Sequence, residues 1–273
     1  MRFSRHRAAN LMHPLDHLYL LLLVVGLPLY SAWSWRRWLA KLAAGHRPRR
    51  LRLYLGSLAQ LWLVFGVLAA CWWWLGRSPG PLGFTAPGGT GFWLGAVLVA
   101  LATGVFLQSW RSMVRADAAE RRRYREQLAE LGQMMPRNGR EYGGFVALSL
   151  TAGVVEETIF RGWLIWYLQA WMPLTAAVVV SSAAFGLAHL YQGAAGVAKT
   201  GVIGLLMALL YLLSGSLWLP IVAHAMIDVL QGATMMELYR RRSGDGGDGD
   251  EDGDRDGDRD GEGDVPPAAT IDR

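Results

Sequence analysis

Long apolar runs, separated by short polar or basic segments, set the pattern of this chain. The runs fall at roughly 16–35, 53–75, 91–112, 143–171, 173–191, 197–214 and 217–236. Each approaches or exceeds the roughly 20 residues a helix needs to cross a bilayer. They are continuously apolar and do not alternate, which argues against lipid-facing β-strands. The pattern therefore predicts an all-α, polytopic transmembrane helical bundle of about seven spans, with eight as the alternative count. The fourth run is long enough to begin in the interface or to cross at a tilt.

The segments between the runs have distinct characters. "GRSPGPLGFTAPGGTG", 76–91, is a Pro/Gly loop. "MVRADAAERRRYREQLAELGQ", 113–133, carries acid–base neighbours at helical spacing and reads as a solvated surface helix leading into the fourth span. The first apolar run ends without a small-residue cleavage site and reads as a span rather than a signal peptide.

Composition agrees with a membrane protein. Of the 273 residues, 52% are hydrophobic and 18% charged, too little charge to coat a water-soluble domain of this size. The single cysteine, Cys71, lies in an apolar run. It excludes an internal disulfide and any Cys-based metal site, and reads as a buried, inert thiol.

The net charge of +5 conceals two regions. The tail from Ser243 holds 12 acids against 3 arginines, about −9, and residues 1–242 hold 24 basic residues against 10 acids, about +14. The basic residues cluster between spans, which fits anionic lipid rather than nucleic acid. They mark 36–52, 111–140 and Arg240–Arg242 as cytoplasmic. Seven spans then place the N-terminus outside and the tail in the cytoplasm, with Arg2, Arg5 and Arg7 as a mild violation. The Asp/Gly-rich tail, 243–273, cannot bury a core and is expected to be disordered. Asp248, Asp250, Asp252 and Gly253 fit the first half of a calcium loop, but Arg259 stands where a bidentate Glu is needed. A solvated acidic tail is the better reading.

Candidate chemistry lies in the last four spans. Only Glu156, Glu157 and Asp228 among the acids fall well inside an apolar run, and only His189 and His224 among the histidines lie deep in these spans. Ionisable groups at bilayer depth are costly and mark function by default. Glu157 and Arg161 are i,i+4 and can pair on one helix face, while Glu156 lies about 100° around the helix and can face a cavity. Phe185 and His189 share the same spacing, so the ring can pack beside the imidazole. So do His224 and Asp228, which suits a shared metal, a shared water or a direct hydrogen bond. A Glu–Arg pair alone is often structural, and a lone membrane histidine often serves as an interhelical hydrogen bond. The set as a whole is harder to explain that way.

The stretches "EETIFR" (156–161), "FGLAH" (185–189) and "HAMID" (224–228) resemble, in order and spacing, the three motifs of the CPBP family, the CAAX-protease and bacteriocin-processing (Abi) intramembrane peptidases. The resemblance covers about 143–236. It implies a catalytic transmembrane domain at 141–242, preceded by N-terminal spans and basic cytoplasmic segments at 1–140. It also implies a multi-pass protein of a prokaryotic cytoplasmic membrane that cleaves a membrane-associated protein or peptide. Glu156 and His189 would activate water, and His224 and Asp228 would bind the oxyanion or a metal. Glu157 and Arg161 would support the site, and Phe185 would shape it. Asp228 stands where the family also uses Asn, and an ionised aspartate repels an oxyanion. It would have to be protonated, orient His224 as a cationic donor, or bind a metal. His189, His224 and Asp228 or Glu156 could hold Zn2+ with an open water position; a glutamic-type mechanism would need no cofactor. Two other readings of the same residues are a non-catalytic membrane immunity or scaffold protein, and a transporter using the buried acids and histidines. The absence of a Gly/Pro-interrupted inverted repeat argues against the transporter. On these run boundaries His189 falls nearer the cytoplasmic side than Glu156 and His224.

Overall fold

The computed structural model describes residues 12–46, 49–127 and 134–239. The acidic tail with its partial calcium loop, the N-terminal arginines and Arg240–Arg242 lie outside the described residues. Among the described residues eight helices carry the fold: α1 Pro14–Lys41, α2 Arg50–Trp74, α3 Gly89–Arg115, α4 Ala118–Gln127, α5 Gly139–Leu168, α6 Leu174–Ala188, α7 Gly193–Ser214 and α8 Trp218–Tyr239. No strand occurs among the described residues.

Local chemistry sets several boundaries. At α1, the His13 side chain accepts from Leu15 N, Asp16 accepts from the His13 N–H at 2.8 Å, and Pro14 takes the first turn. This closes a capping box around donors that the helix itself cannot satisfy. Asn138 caps α5 by accepting from Glu141 N at 2.9 Å. Gly215, at φ +66°, ends α7 in the left-handed conformation that an L side chain rarely adopts.

Six of these helices, α1, α2, α3, α5, α7 and α8, are long and apolar enough to cross a membrane. The seventh apolar helix, α6, has only 15 residues, about 22 Å at 1.5 Å per residue. That is short of a bilayer core of roughly 30 Å. The expected span at 173–191 therefore stops at 188. A 3-10 turn, Leu190–Gln192, follows, and Gly193 at φ +75° reverses the chain into α7. The turn "HLYQG" carries the polar and glycine residues that interrupt the two apolar runs.

Helix α5 is central, with α8 and α2 packed on it; α8 also meets α3, and α6 forms a hairpin with α7. The most enclosed side chains, Val155, Trp163, Leu164 and Ile165, line the second half of α5. Two glycines let the helices approach closely, as small residues do in membranes. A Cβ at Gly153 would fall 2.9 Å from the Ile221 carbonyl of α8, and one at Gly186 2.6 Å from the Val197 carbonyl of α7. The outward faces carry exposed leucines and valines, and exposed tryptophans (Trp73, Trp74, Trp93, Trp171 and Trp218) sit at or just beyond helix ends that alternation puts on one side. Lipid tails and an interfacial aromatic belt account for both.

Two segments between the apolar runs, one of them read as a solvated helix, are tied into the fold. Arg121 of α4 is buried and donates to the Met113 and Glu237 carbonyls at 3.1 and 2.9 Å, and pairs with the Glu237 carboxylate at 3.5 Å. It thus satisfies terminal carbonyls of α3 and α8. The Pro/Gly loop packs its Leu82 carbonyl against Gly162, where a Cβ would sit 2.6 Å away, and accepts from Leu217 N at Gly83 O, 2.9 Å.

Candidate active site

The polar residues singled out in the sequence lie on α5, α6 and α8, and their geometry begins with a break in α5. The helix is regular over Gly139–Glu157, becomes a π-helix over Thr158–Leu164, and resumes at Ile165–Leu168. π turns are rare and concentrate at functional sites. Ser181 of α6 donates to the Phe160 carbonyl within this turn at 2.7 Å, joining the two helices by a buried hydrogen bond.

Glu157 immediately precedes that irregular turn, Arg161 lies within it, and both are fully enclosed. Arg161 Nη1 donates to Glu157 Oε1 at 3.0 Å, as the i,i+4 spacing predicts. Arg161 Nη2 reaches α7 and donates to the Gly204 carbonyl at 3.0 Å, and the guanidinium carbon lies 4.3 Å from the centre of the Phe185 ring. A cation in a low-dielectric interior persists only with such partners. Gly204 is needed for the fit: a Cβ there would lie 3.0 Å from Phe185 and 3.4 Å from Arg161 Nη2.

The structure adds a link that the spacing did not suggest. The same Glu157 oxygen lies 2.7 Å from His224 Nδ1. A carboxylate accepts, so Nδ1 carries the proton and donates to it. The imidazole is thereby held with Nε2 turned toward the other two acids, 3.7 Å from Asp228 Oδ2 and 3.9 Å from Glu156 Oε2. Both distances exceed a hydrogen bond and leave the groups facing one another across a gap. Glu157 Oε2 is buried and has no hydrogen-bond partner among the described residues.

His189 takes the position just past the end of α6. Its Nδ1 lies 2.9 Å from the Phe185 carbonyl. The carbonyl can only accept, which puts the proton on Nδ1 and leaves the Nε2 lone pair free. The Phe185 ring lies 4.9 Å from the His189 ring and 6.1 Å from the His224 ring, centre to centre. It also packs edge-on to Phe160 at 5.0 Å. Phe185 thus lies within ring-contact distance of both histidines. No hydrogen bond joins Glu156 to His189 among the described residues.

All seven sequence-chosen residues, Glu156, Glu157, Arg161, Phe185, His189, His224 and Asp228, thus fall in one cluster. They do not form the suggested metal set. Among the described residues no group of three His, Cys, Asp or Glu side chains is disposed to hold a metal ion. His189 and His224 are each anchored through Nδ1 to a different partner, the Phe185 carbonyl and the Glu157 carboxylate. Sequence reasoning missed Gly204, whose role is steric, and Tyr191, whose ring lies 5.8 Å from that of His189. Nothing in the local pattern of either residue marks it.

Residues 139–230 match a family model described as type II CAAX prenyl endopeptidase Rce1-like. The match runs from the first turn of α5 into α8, includes every residue of the cluster and leaves α1–α4 outside. No curated protein and no solved structure matches the chain.

Proposed function

Because residues 139–230 belong to the Rce1-like, CAAX-protease-like branch of the CPBP intramembrane peptidases, we propose that this chain is an intramembrane endopeptidase. It cleaves a protein or peptide at the membrane with water activated by Glu156 and His189. The observation that carries this reading is the setting of His224. It is fixed through Nδ1 to Glu157 and faces Glu156 and Asp228 through Nε2 across a gap of non-bonded distances.

The chemistry follows from the donors and acceptors on these helices. Glu156 is half-buried and free of a tight ion pair, so its carboxylate can accept a proton from water. The unprotonated Nε2 of His189 aligns that water by accepting its second hydrogen. The water oxygen adds to the scissile carbonyl carbon, and the carbonyl oxygen becomes the oxyanion. His224, as an imidazolium, donates from Nε2 to that oxygen while Nδ1–H stays on Glu157. Asp228 compensates the imidazolium charge. Collapse of the intermediate breaks the C–N bond, and the proton held on Glu156 passes to the leaving amine. Fixed donors in a water-poor cavity stabilise such an oxyanion far better than water does. The family description points to peptides with a C-terminal CAAX sequence as the first substrates to try.

The test is cleavage of membrane-anchored reporter peptides, prenylated and unprenylated, by purified protein in proteoliposomes. Glu156→Gln and His189→Ala are expected to abolish turnover without changing thermal stability. Turnover that survives both substitutions would overturn the mechanism. Proton or solute flux in the same vesicles, without cleavage, would favour a transporter instead.

A further inference from the structure

The His189 turn holds a hydroxyl group that the mechanism above does not use. Tyr191 lies in the 3-10 turn Leu190–Gln192 between α6 and α7. Its ring is placed between two others, 5.8 Å from His189 on the site side and 5.8 Å from Trp35 of α1.

That hydroxyl is held in place by a short chain of hydrogen bonds. Gln192 Nε2 donates to the Tyr191 oxygen at 3.2 Å, and Thr200 Oγ1 of α7 donates to Gln192 Oε1 at 3.3 Å. Gly196 leaves room for this arrangement, since a Cβ there would lie 3.1 Å from Gln192 Oε1. The tyrosine oxygen thus receives a hydrogen bond from Gln192, and its own O–H remains available to donate.

The cluster needs such a donor. Glu156, Glu157 and Asp228 only accept when ionised, and a neutral His189 that donates from Nδ1 can only accept at Nε2. An asparagine at 228 would have offered a neutral N–H to the tetrahedral oxygen, and Asp228 does not. We infer that the Tyr191 hydroxyl donates a hydrogen bond to the tetrahedral oxygen beside His224, supplying the neutral donor that Asp228 lacks; this rests on the peptidase reading above. The proton stays on the tyrosine oxygen throughout, so no charge is transferred.

Tyr191→Phe removes only the hydroxyl and keeps the ring between His189 and Trp35. Loss of one oxyanion donor typically lowers kcat by about 10²–10³-fold. We expect that loss with KM within about twofold of wild type and an unchanged melting temperature. A phosphinate peptide, which mimics the tetrahedral oxygen, should bind Tyr191→Phe at least about tenfold more weakly, while the uncleaved amide analogue binds equally. Asp228→Asn in the Tyr191→Phe background should recover part of kcat, because its amide restores a neutral donor. If wild type cleaves and Tyr191→Phe keeps kcat within about threefold, the tyrosine inference fails and the peptidase reading stands. If Tyr191→Phe weakens phosphinate and amide peptides alike, its role is general binding and the inference fails. If wild type itself neither cleaves nor binds the phosphinate, the peptidase reading fails and the inference falls with it.

Discussion

His224 Nδ1 and Glu157 Oε1 lie 2.7 Å apart across the α5–α8 interface, and the same carboxylate oxygen accepts from Arg161 at 3.0 Å. One buried acid thus neutralises the arginine and orients the histidine. The two roles can be separated. Glu157→Gln should lower stability by about 3–5 kcal/mol, because it leaves the enclosed Arg161 uncompensated, and should cut turnover by about 10²-fold or more. Adding Arg161→Met removes the stranded cation and should return at least about 1 kcal/mol. It should not return activity, since a neutral amide at this position no longer balances the charge of the His224 imidazolium. Thermal melts and reporter cleavage on the single and double variants check both halves. Recovery of activity together with stability would mean that Glu157 serves Arg161 alone.

The helix contacts that set the site depend on space as well as charge. Gly153 lies one turn before Glu156 and packs on Ile221 and Ala225 of α8; Gly186 lies three residues before His189 and packs on Val197 and Gly201 of α7. An alanine methyl at either position meets backbone that cannot yield without spreading the helices. Gly153→Ala and Gly186→Ala should each cost about 1–3 kcal/mol and reduce kcat by about tenfold or more, since small misplacements of catalytic groups are expensive. Gly66→Ala in α2 is the control. A Cβ there meets nothing within 4 Å, so stability and turnover should stay at wild-type values. The same melts and rate measurements decide the matter, and equal behaviour of all three variants would contradict it.

How much of this was legible in the sequence follows from the range of each interaction. Apolar run length gave the helices, because bilayer thickness imposes it directly. The Glu157–Arg161 pair was legible because i,i+4 contacts are local. The Glu157–His224 bond was not, since it joins positions 67 apart in the chain and depends on how α8 rotates against α5. The end of α6 at Ala188 was signalled only by His189, Gln192 and Gly193, a short polar interruption between two apolar runs. The burial of Arg121 was hidden because a short basic helix looks the same whether its arginines meet water or the carbonyl ends of neighbouring helices. Tyr191 could be recognised only after the turn had brought it beside His189.

Arg77 shows the same limit for a loop charge. It is the one basic residue in the 76–90 loop, and its guanidinium grips both carboxylate oxygens of Asp16 at 2.7 Å. It also lies over Trp72 and Trp166 at 5.1 and 5.0 Å from the ring centres. Lysine cannot reproduce the two-pronged bond or the stacking. Arg77→Lys should therefore lower stability by about 1–3 kcal/mol, the range for hydrogen bonds to charged groups. Trp166 is ten residues beyond Glu156 on α5, about 15 Å along the helix, so kcat should stay within about twofold. Denaturation and kinetics on one preparation test this, and a selective loss of kcat would place Arg77 in the catalytic machinery.

Metal dependence can be judged from the anchoring of the two histidines. His189 spends Nδ1 on the Phe185 carbonyl and His224 spends Nδ1 on Glu157. Their Nε2 atoms are the only ring nitrogens left for a ligand. With Asp228 and Glu156 they form no three-residue set among the described residues that could hold an ion. A catalytic zinc needs three protein ligands and an open position. Prolonged treatment with 1,10-phenanthroline should accordingly leave cleavage within about twofold of the untreated rate, and elemental analysis should find far less than one zinc per chain. Glu156→Gln should be as inactive in added Zn2+ as without it. One zinc per chain, lost together with activity on chelation and absent from Asp228→Ala, would require the helices to close on a metal and would replace the water activation assigned to Glu156 and His189.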